Sequence, residues 1–167
     1  LKKKFPNWKD IKPQSRSSKM YLVFKKTSNP NNFVVELTDS NELSKTNSII
    51  RSGKTNFNFK KHSKYSRKEI IKEVTGRDEN PYGKWVSGYN REGDNLFIFM
   101  NIGIPGRTGH DYKNHYDDKT ETISWCAKGN THSRQPVMQQ IINGDLTLYF
   151  FARWKRNEVN FSYLGVG

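Results

Sequence analysis

The pattern of apolar and polar positions divides the chain near Gly76. Before that point the apolar residues are sparse. Met20–Lys26 and Phe33–Thr38 read as short strands, and the Thr-Ser-Asn-Pro-Asn-Asn between them supplies the residue types of a hairpin turn. Residues 1–19 are basic, hold two prolines and show no periodicity, as expected of an arm or linker ahead of a single domain over 20–167. Residues 39–64 are rich in Ser, Asn and Lys and read as a long surface loop. One helix is well marked. Ser66-Arg67-Lys68-Glu69 fits a capping box, Ile70, Ile71 and Val74 form an apolar stripe, and Gly76 supplies the stop.

Past Gly76 the period shortens towards two. Strands are predicted at Lys84–Tyr89, Asn95–Ile102, Tyr112–Tyr116, Thr120–Cys126, Leu146–Trp154 and Asn160–Leu164. Turns are predicted at Arg91-Glu92-Gly93-Asp94, Pro105-Gly106, Asp117-Asp118 and Asn143-Gly144. A second helix fits Pro136–Ile142, with proline in its first turn and Gly144 at its end. Many short strands and about two helices predict a mainly β (α+β) fold, a curved or closed β-barrel of pseudobarrel type.

Charge sharpens the division. Residues 1–77 carry 19 Lys and Arg against 6 Asp and Glu, whereas 78–167 carry ten of each, so the net +13 belongs to the first half. Such a basic half suits a polyanion: neutralised phosphates release counterions and give affinity without sequence preference. Aromatic residues make up 13% of the chain, enough to build a core although the hydrophobic fraction is only 33%. The longest apolar runs, Leu96–Met100 and Leu148–Ala152, are too short to span a bilayer, and no secretory leader pattern is present. Cys126 is the one cysteine, which excludes an internal disulfide or a Cys-rich zinc site and fits a reducing, cytoplasmic setting. The chain begins at Leu1 and reads as a piece of a larger polypeptide.

From Tyr65 the motifs follow a recognisable order. Tyr65-Ser66-Arg67-Lys68-Glu69-Ile70-Ile71 precedes an Arg-Glu-Gly turn and the strand Leu96-Phe97-Ile98-Phe99-Met100. His110-Asp111-Tyr112-Lys113-Asn114, Ile123-Ser124-Trp125 and Asn130-Thr131 come next. Leu148-Tyr149-Phe150-Phe151-Ala152-Arg153 and Phe161-Ser162-Tyr163-Leu164-Gly165 close the series. This order resembles the C-terminal recognition domain of bacterial helicase–nuclease restriction proteins, long catalogued as a domain of unknown function. Over Tyr112–Trp125 and Gly144–Arg153 it is also similar, more loosely, to the B3-like effector domains of type II restriction endonucleases. One departure is Cys126-Ala127-Lys128 directly after Trp125, where the family tends to carry a Gln-containing polar run. The resemblance implies a β-barrel whose loops enter the major groove, where the four base pairs are distinguishable. It also implies a restriction endonuclease context, fusion to a nuclease or helicase domain, and relatives that discriminate modified cytosine, for which a flipped-base pocket is one route.

Candidate contacts follow from residue chemistry. The loop 103–110 holds three glycines, which let backbone approach a phosphate or base closely; it lacks the Gly-Lys-Ser/Thr of a nucleotide-binding loop. Arg107, Thr108 and His110 are its base-edge candidates. Lys113, Asn114 and His115 follow, and Asn130, His132 and Arg134 stand on a second polar loop. For phosphates the candidates are Lys60, Lys61, Lys64, Arg67 and Lys68 at the start of the first helix, joined by Lys119, Lys128 and Arg153. Trp85, Trp125 and Trp154 read as core residues, with Tyr82, Tyr89 or Trp85 as the alternative lining of a base pocket.

Double-stranded DNA is thus the expected partner, with no cofactor, metal, membrane or small-molecule substrate implied. Two other readings stay open. A metal-dependent nuclease would use the cluster His110, Asp111, His115, Asp117 and Asp118, although strand alternation separates His110 from Asp111 and the two later acids suit a turn. An RNA-binding module would stack single-stranded bases on exposed aromatics.

Overall fold

The computed structural model describes residues 21–26, 33–38, 49–50, 57–105, 109, 114–127, 131 and 134–167. Among the described residues ten strands form two five-stranded sheets. The first sheet has the order β3 (Ile49–Ile50), β2 (Phe33–Thr38), β1 (Tyr21–Lys26), β8 (Thr122–Cys126) and β7 (His115–Asp117), all antiparallel. The second has the order β4 (Lys64–Tyr65), β10 (Phe161–Val166), β9 (Thr147–Arg153), β6 (Asn95–Asn101) and β5 (Tyr89–Glu92). A parallel bridge between Ile102 and Asn114 joins them at one corner. The protein is mainly β with two helices, and the first sheet is a curled half-barrel that stays open.

In the second sheet β6 and β9 run parallel, with Phe97 opposite Tyr149 and Phe99 opposite Phe151. Parallel neighbours need a long crossover, and this one carries β7, β8 and helix α2 (Pro136–Asn143). Both strands are buried on both faces, which explains their unbroken apolar runs. One face, built from Leu96, Ile98, Met100, Leu148 and Phe150, packs on Met138, Ile141 and Ile142 of α2 and on Ile123 and Trp125 of β8. The other face is aromatic. Phe97 stacks on Tyr149 at 5.0 Å and Phe99 on Phe151 at 5.5 Å, beneath Ile70 and Ile71 of helix α1 (Arg67–Thr75) and Trp85. Directly opposed rings of this kind add about 0.5–1.5 kcal/mol per pair beyond their area burial.

Both helices have the predicted ends. Ser66 Oγ accepts from Glu69 N at 3.2 Å while Ser66 N donates to Glu69 Oε2 at 2.7 Å, completing the capping box. Gly76 and Gly144 close α1 and α2 at φ +74° and +68°, where a Cβ would be strained.

Several expectations need correction. The predicted strand at Lys84–Tyr89 is a 3-10 turn over Gly83–Val86 followed by β5, and the hairpin turn shrinks to Gly93-Asp94. The carbonyls of Trp85 and Ser87 accept from the Arg67 guanidinium instead of joining a ladder, so a tertiary contact overrides local pattern. The tail of the expected surface loop is core: Phe57 lies 5.4 Å from Tyr149, Phe59 lies 5.2 Å from Phe151, and β4 pairs with β10. Asp117 ends a strand, and the turn follows it at 118–121. Trp154 is 41% exposed at the end of β9, whereas Trp85 and Trp125 are buried as expected.

Candidate nucleic-acid interface

Asn114 is the polar hinge of the corner where the sheets meet. Its Nδ2 donates to Asn101 O at 3.1 Å and its Oδ1 accepts from Cys126 N at 2.9 Å. The end of β6, the approach to β7 and the end of β8 are therefore held by one side chain. Asn101 Oδ1 in turn accepts from Arg153 Nε at 2.7 Å, and Ile102 N donates to Arg153 O at 3.0 Å. The two predicted reading loops, after Asn101 and after Cys126, thus leave the scaffold from a common root.

Of the predicted base readers, Arg107, Thr108, His110, Lys113, Asn130 and His132 lie outside the described residues, as does Lys128 among the phosphate candidates. His115 on β7 and Arg134 just ahead of α2 are exposed. Asn114 is not a free base reader, since both ends of its amide bind main chain.

The phosphate candidates separate into two groups. Lys119, in the turn after β7, and Lys60 are exposed and form no ion pair among the described residues. Lys119's main-chain N–H instead helps to seat Asp117, whose carboxyl is held below its ordinary value by the Thr120 side chain and by the N–H groups of Thr120 and Lys119. The cations around α1 are internally engaged. Lys61 pairs with Glu121, Lys64 with Glu158, and Lys68 and Lys72 with Asp78 at 2.8 and 3.2 Å. Arg67 lies 4.0 Å from the Phe99 ring centroid and 5.0 Å from Phe161, and donates to Ser87 O at 3.1 Å and to Trp85 O. Burial, reinforced by the charge of Arg153, pushes its guanidinium down to about 10, so it remains cationic at neutral pH. Arg153 flanks the same ring from 4.9 Å and donates to Glu158 O at 2.7 Å. Arg67 and Arg153 thus engage main-chain carbonyls, the Asn101 side chain and aromatic rings of the scaffold itself.

An open pocket of about 300 Å³ is lined by Tyr116 and Asp118, by Ser162 and Leu164 of β10, and by Trp154 and His62. Trp154 meets Tyr116 edge-on, with ring centroids 6.3 Å apart. His62, held at φ +65°, donates its main-chain N–H to Tyr163 O at 2.8 Å. The sequence does not bring this set together, because its members are far apart in the chain and no one motif holds them all. Trp154, followed by Lys155 and Arg156, carries the one usable local signal: a large ring where a strand runs into charge.

Trp85 packs on Phe97 and Phe99, and Tyr89 meets Trp125 edge-on at 5.8 Å. Among the described residues no group of three or more His, Cys, Asp or Glu could hold a metal; His110 and Asp111 lie outside them. No helix among them is long and apolar enough to cross a membrane.

These features define a mainly β module with an open, curled sheet, a polar corner at Asn114 and a pocket of about 300 Å³. A family model described as a domain of unknown function (DUF3427) matches residues 59–167, and the chain belongs to that family. The match spans the whole second sheet, both helices and the cavity. No curated protein and no solved structure matches the chain.

Proposed function

We propose that this chain binds double-stranded DNA and recognises a sequence or a base modification, as the recognition module of a restriction or defence endonuclease. The observation that carries the reading is the Asn114 staple, which gives both polar, cation-bearing loops one origin beside exposed His115. Base readout requires donors and acceptors held in fixed register, whereas phosphate contacts only position. A rigid root supplies the register, and the loop residues supply Arg, Lys, Asn and His. The basic first half, with net +13, supplies attraction to the duplex. A neighbouring nuclease or helicase domain would perform the chemistry. Cys126, the one cysteine of the sequence, accords with a reducing compartment such as the cytoplasm.

A gel-shift panel tests the reading. Duplexes of varied sequence and cytosine methylation, single strands and RNA would be titrated at two salt concentrations. Preference for one duplex class, weakened by salt, is the expected outcome. Equal affinity for all duplexes removes recognition from the proposal, and preference for RNA replaces the partner.

A further inference from the structure

The open pocket beside Trp154 is lined by groups that select for positive charge. Asp118 gives it a carboxylate, and neither a lysine nor an arginine lines it, so it suits a cation and not a phosphate. In a chain of net charge +13 that sign is unexpected. The nearest cations along the chain, Lys119, Lys155 and Arg156, are exposed and stay outside the lining. Among the described residues Asp118 forms no ion pair, and the side chains of Asp118, His62 and Ser162 make no hydrogen bond. All three can accept: the carboxylate through both oxygens, the Ser162 hydroxyl through its own, and the His62 imidazole through a ring nitrogen when neutral.

The rest of the wall is aromatic. The Trp154 and Tyr116 rings stand at 63° with centroids 6.3 Å apart, and Trp154 is 41% exposed. An aromatic face attracts a cation through its quadrupole. A planar cation with several N–H donors satisfies both halves of the lining. A guanidinium carries its donors in a fixed fork, stacks on rings and is weakly hydrated, whereas an ammonium is a compact, strongly hydrated point charge. The fold already seats one guanidinium in this manner, since Arg67 lies 4.0 Å from the Phe99 ring centroid and donates to the carbonyls of Trp85 and Ser87. At about 300 Å³ the pocket has room for one such headgroup. Its parts are also held in place. The His62 main-chain N–H donates to Tyr163 O at 2.8 Å, and the Lys61–Glu121 ion pair ties the segment before His62 to the turn at 118–121 that carries Asp118. Acceptors positioned in advance lose little freedom on binding.

We propose that this pocket takes the guanidinium of an arginine presented by a partner polypeptide, stacked on Trp154 and paired with Asp118, with Ser162 as a further acceptor. A narrow, solvent-open site of this size suits a side chain on an extended segment. Val159, 73% exposed on the same β9–β10 connection as Trp154, offers an apolar contact to the residues beside that arginine. The site uses none of the groups assigned to base reading, and it stands or falls independently of duplex binding.

Nuclear magnetic resonance of the isotope-labelled full chain tests this, with the main-chain amide signals of Asp118 and Ser162 as reporters. The chain would be titrated at constant ionic strength with methylguanidinium, methylammonium and N-methylurea, the last a neutral mimic of the first. A short glycine-flanked arginine peptide and its neutral citrulline counterpart would follow. Methylguanidinium should bind about tenfold tighter than methylammonium, the scale of a stacked and charge-assisted contact, and N-methylurea should not saturate the signals. The arginine peptide should bind at least as tightly as methylguanidinium, and the citrulline peptide should not bind. Asp118→Asn and Trp154→Ala should each weaken methylguanidinium about tenfold, and Trp154→Phe should keep most of the affinity. Circular dichroism confirms that each variant is folded. N-methylurea or methylammonium binding as tightly as methylguanidinium overturns the guanidinium site, as does unaltered affinity in folded Asp118→Asn or the absence of saturation by any cation. Binding of methylguanidinium without binding of the arginine peptide overturns the polypeptide partner.

Discussion

The cations around helix α1 are alike in sequence to Lys119, His115 and Arg134 but differ from them in the partners the fold supplies. Lys61, Lys64, Lys68, Lys72 and Arg67 all meet carboxylates, carbonyls or aromatic rings of their own chain. Lys119, His115 and Arg134 project into solvent. A run of basic residues therefore measures attraction to a polyanion only after its internal partners are subtracted. That subtraction needs the fold, because Glu121 and Glu158 lie far along the chain from the lysines they neutralise.

The comparison breaks first at Arg67. Arg67→Ala removes donors from two carbonyls and a cation from the Phe99 face, and should destabilise the fold by about 3 kcal/mol. Urea denaturation reads this as a lower midpoint; an unchanged midpoint would return Arg67 to the list of phosphate contacts. Arg67→Lys should recover less than half of the loss, since an ammonium cannot both fork to two carbonyls and lie flat on a ring. Next comes the hinge. Asn114→Ala leaves Cys126 N without its acceptor and should lower stability by about 2 kcal/mol. Among chains still folded it should also weaken DNA binding, because both loops lose their common root. Ser66→Ala, which removes only the α1 cap, should lower stability by about 1 kcal/mol and leave binding untouched. The smallest effect is set by pH. The main-chain N–H of Ser66 holds the Glu69 carboxyl below its ordinary value, and the Lys68 and Lys72 side chains do the same for Asp78. Depressed carboxyl values add stability that is present above the ordinary carboxylate range and lost as pH falls through it. The melting temperature should thus drop modestly between neutral pH and about pH 3.5, and less in a Glu69→Gln, Asp78→Asn variant.

Much of the scaffold was legible in the chain. The capping box, Gly76 and the unbroken runs at 96–100 and 148–152 all describe local chemistry, and the elements they specify are present. What could not be read were contacts between distant segments. The 3-10 turn at Gly83–Val86 gives its Trp85 carbonyl to Arg67, and Phe57 and Phe59 pack against the core because Tyr149 and Phe151 present rings to them. The cavity draws on His62, Tyr116, Trp154 and Ser162, which no spacing rule connects. Closure of a sheet is likewise a matter of how its edges end, and the alternation of strand residues does not encode it.

The most direct test compares salt dependence in three chains: the unmodified protein, a Lys119→Ala, Arg134→Ala variant, and a Lys64→Ala, Lys68→Ala variant. Duplex affinity would be measured from low to moderate salt and plotted on logarithmic axes. Each lost phosphate contact should reduce the slope by about 1. A shallower slope is expected in the first variant and an unaltered one in the second. An unaltered slope in the first with a shallower one in the second would contradict that expectation, as would a chain that ignores duplex DNA even in dilute buffer.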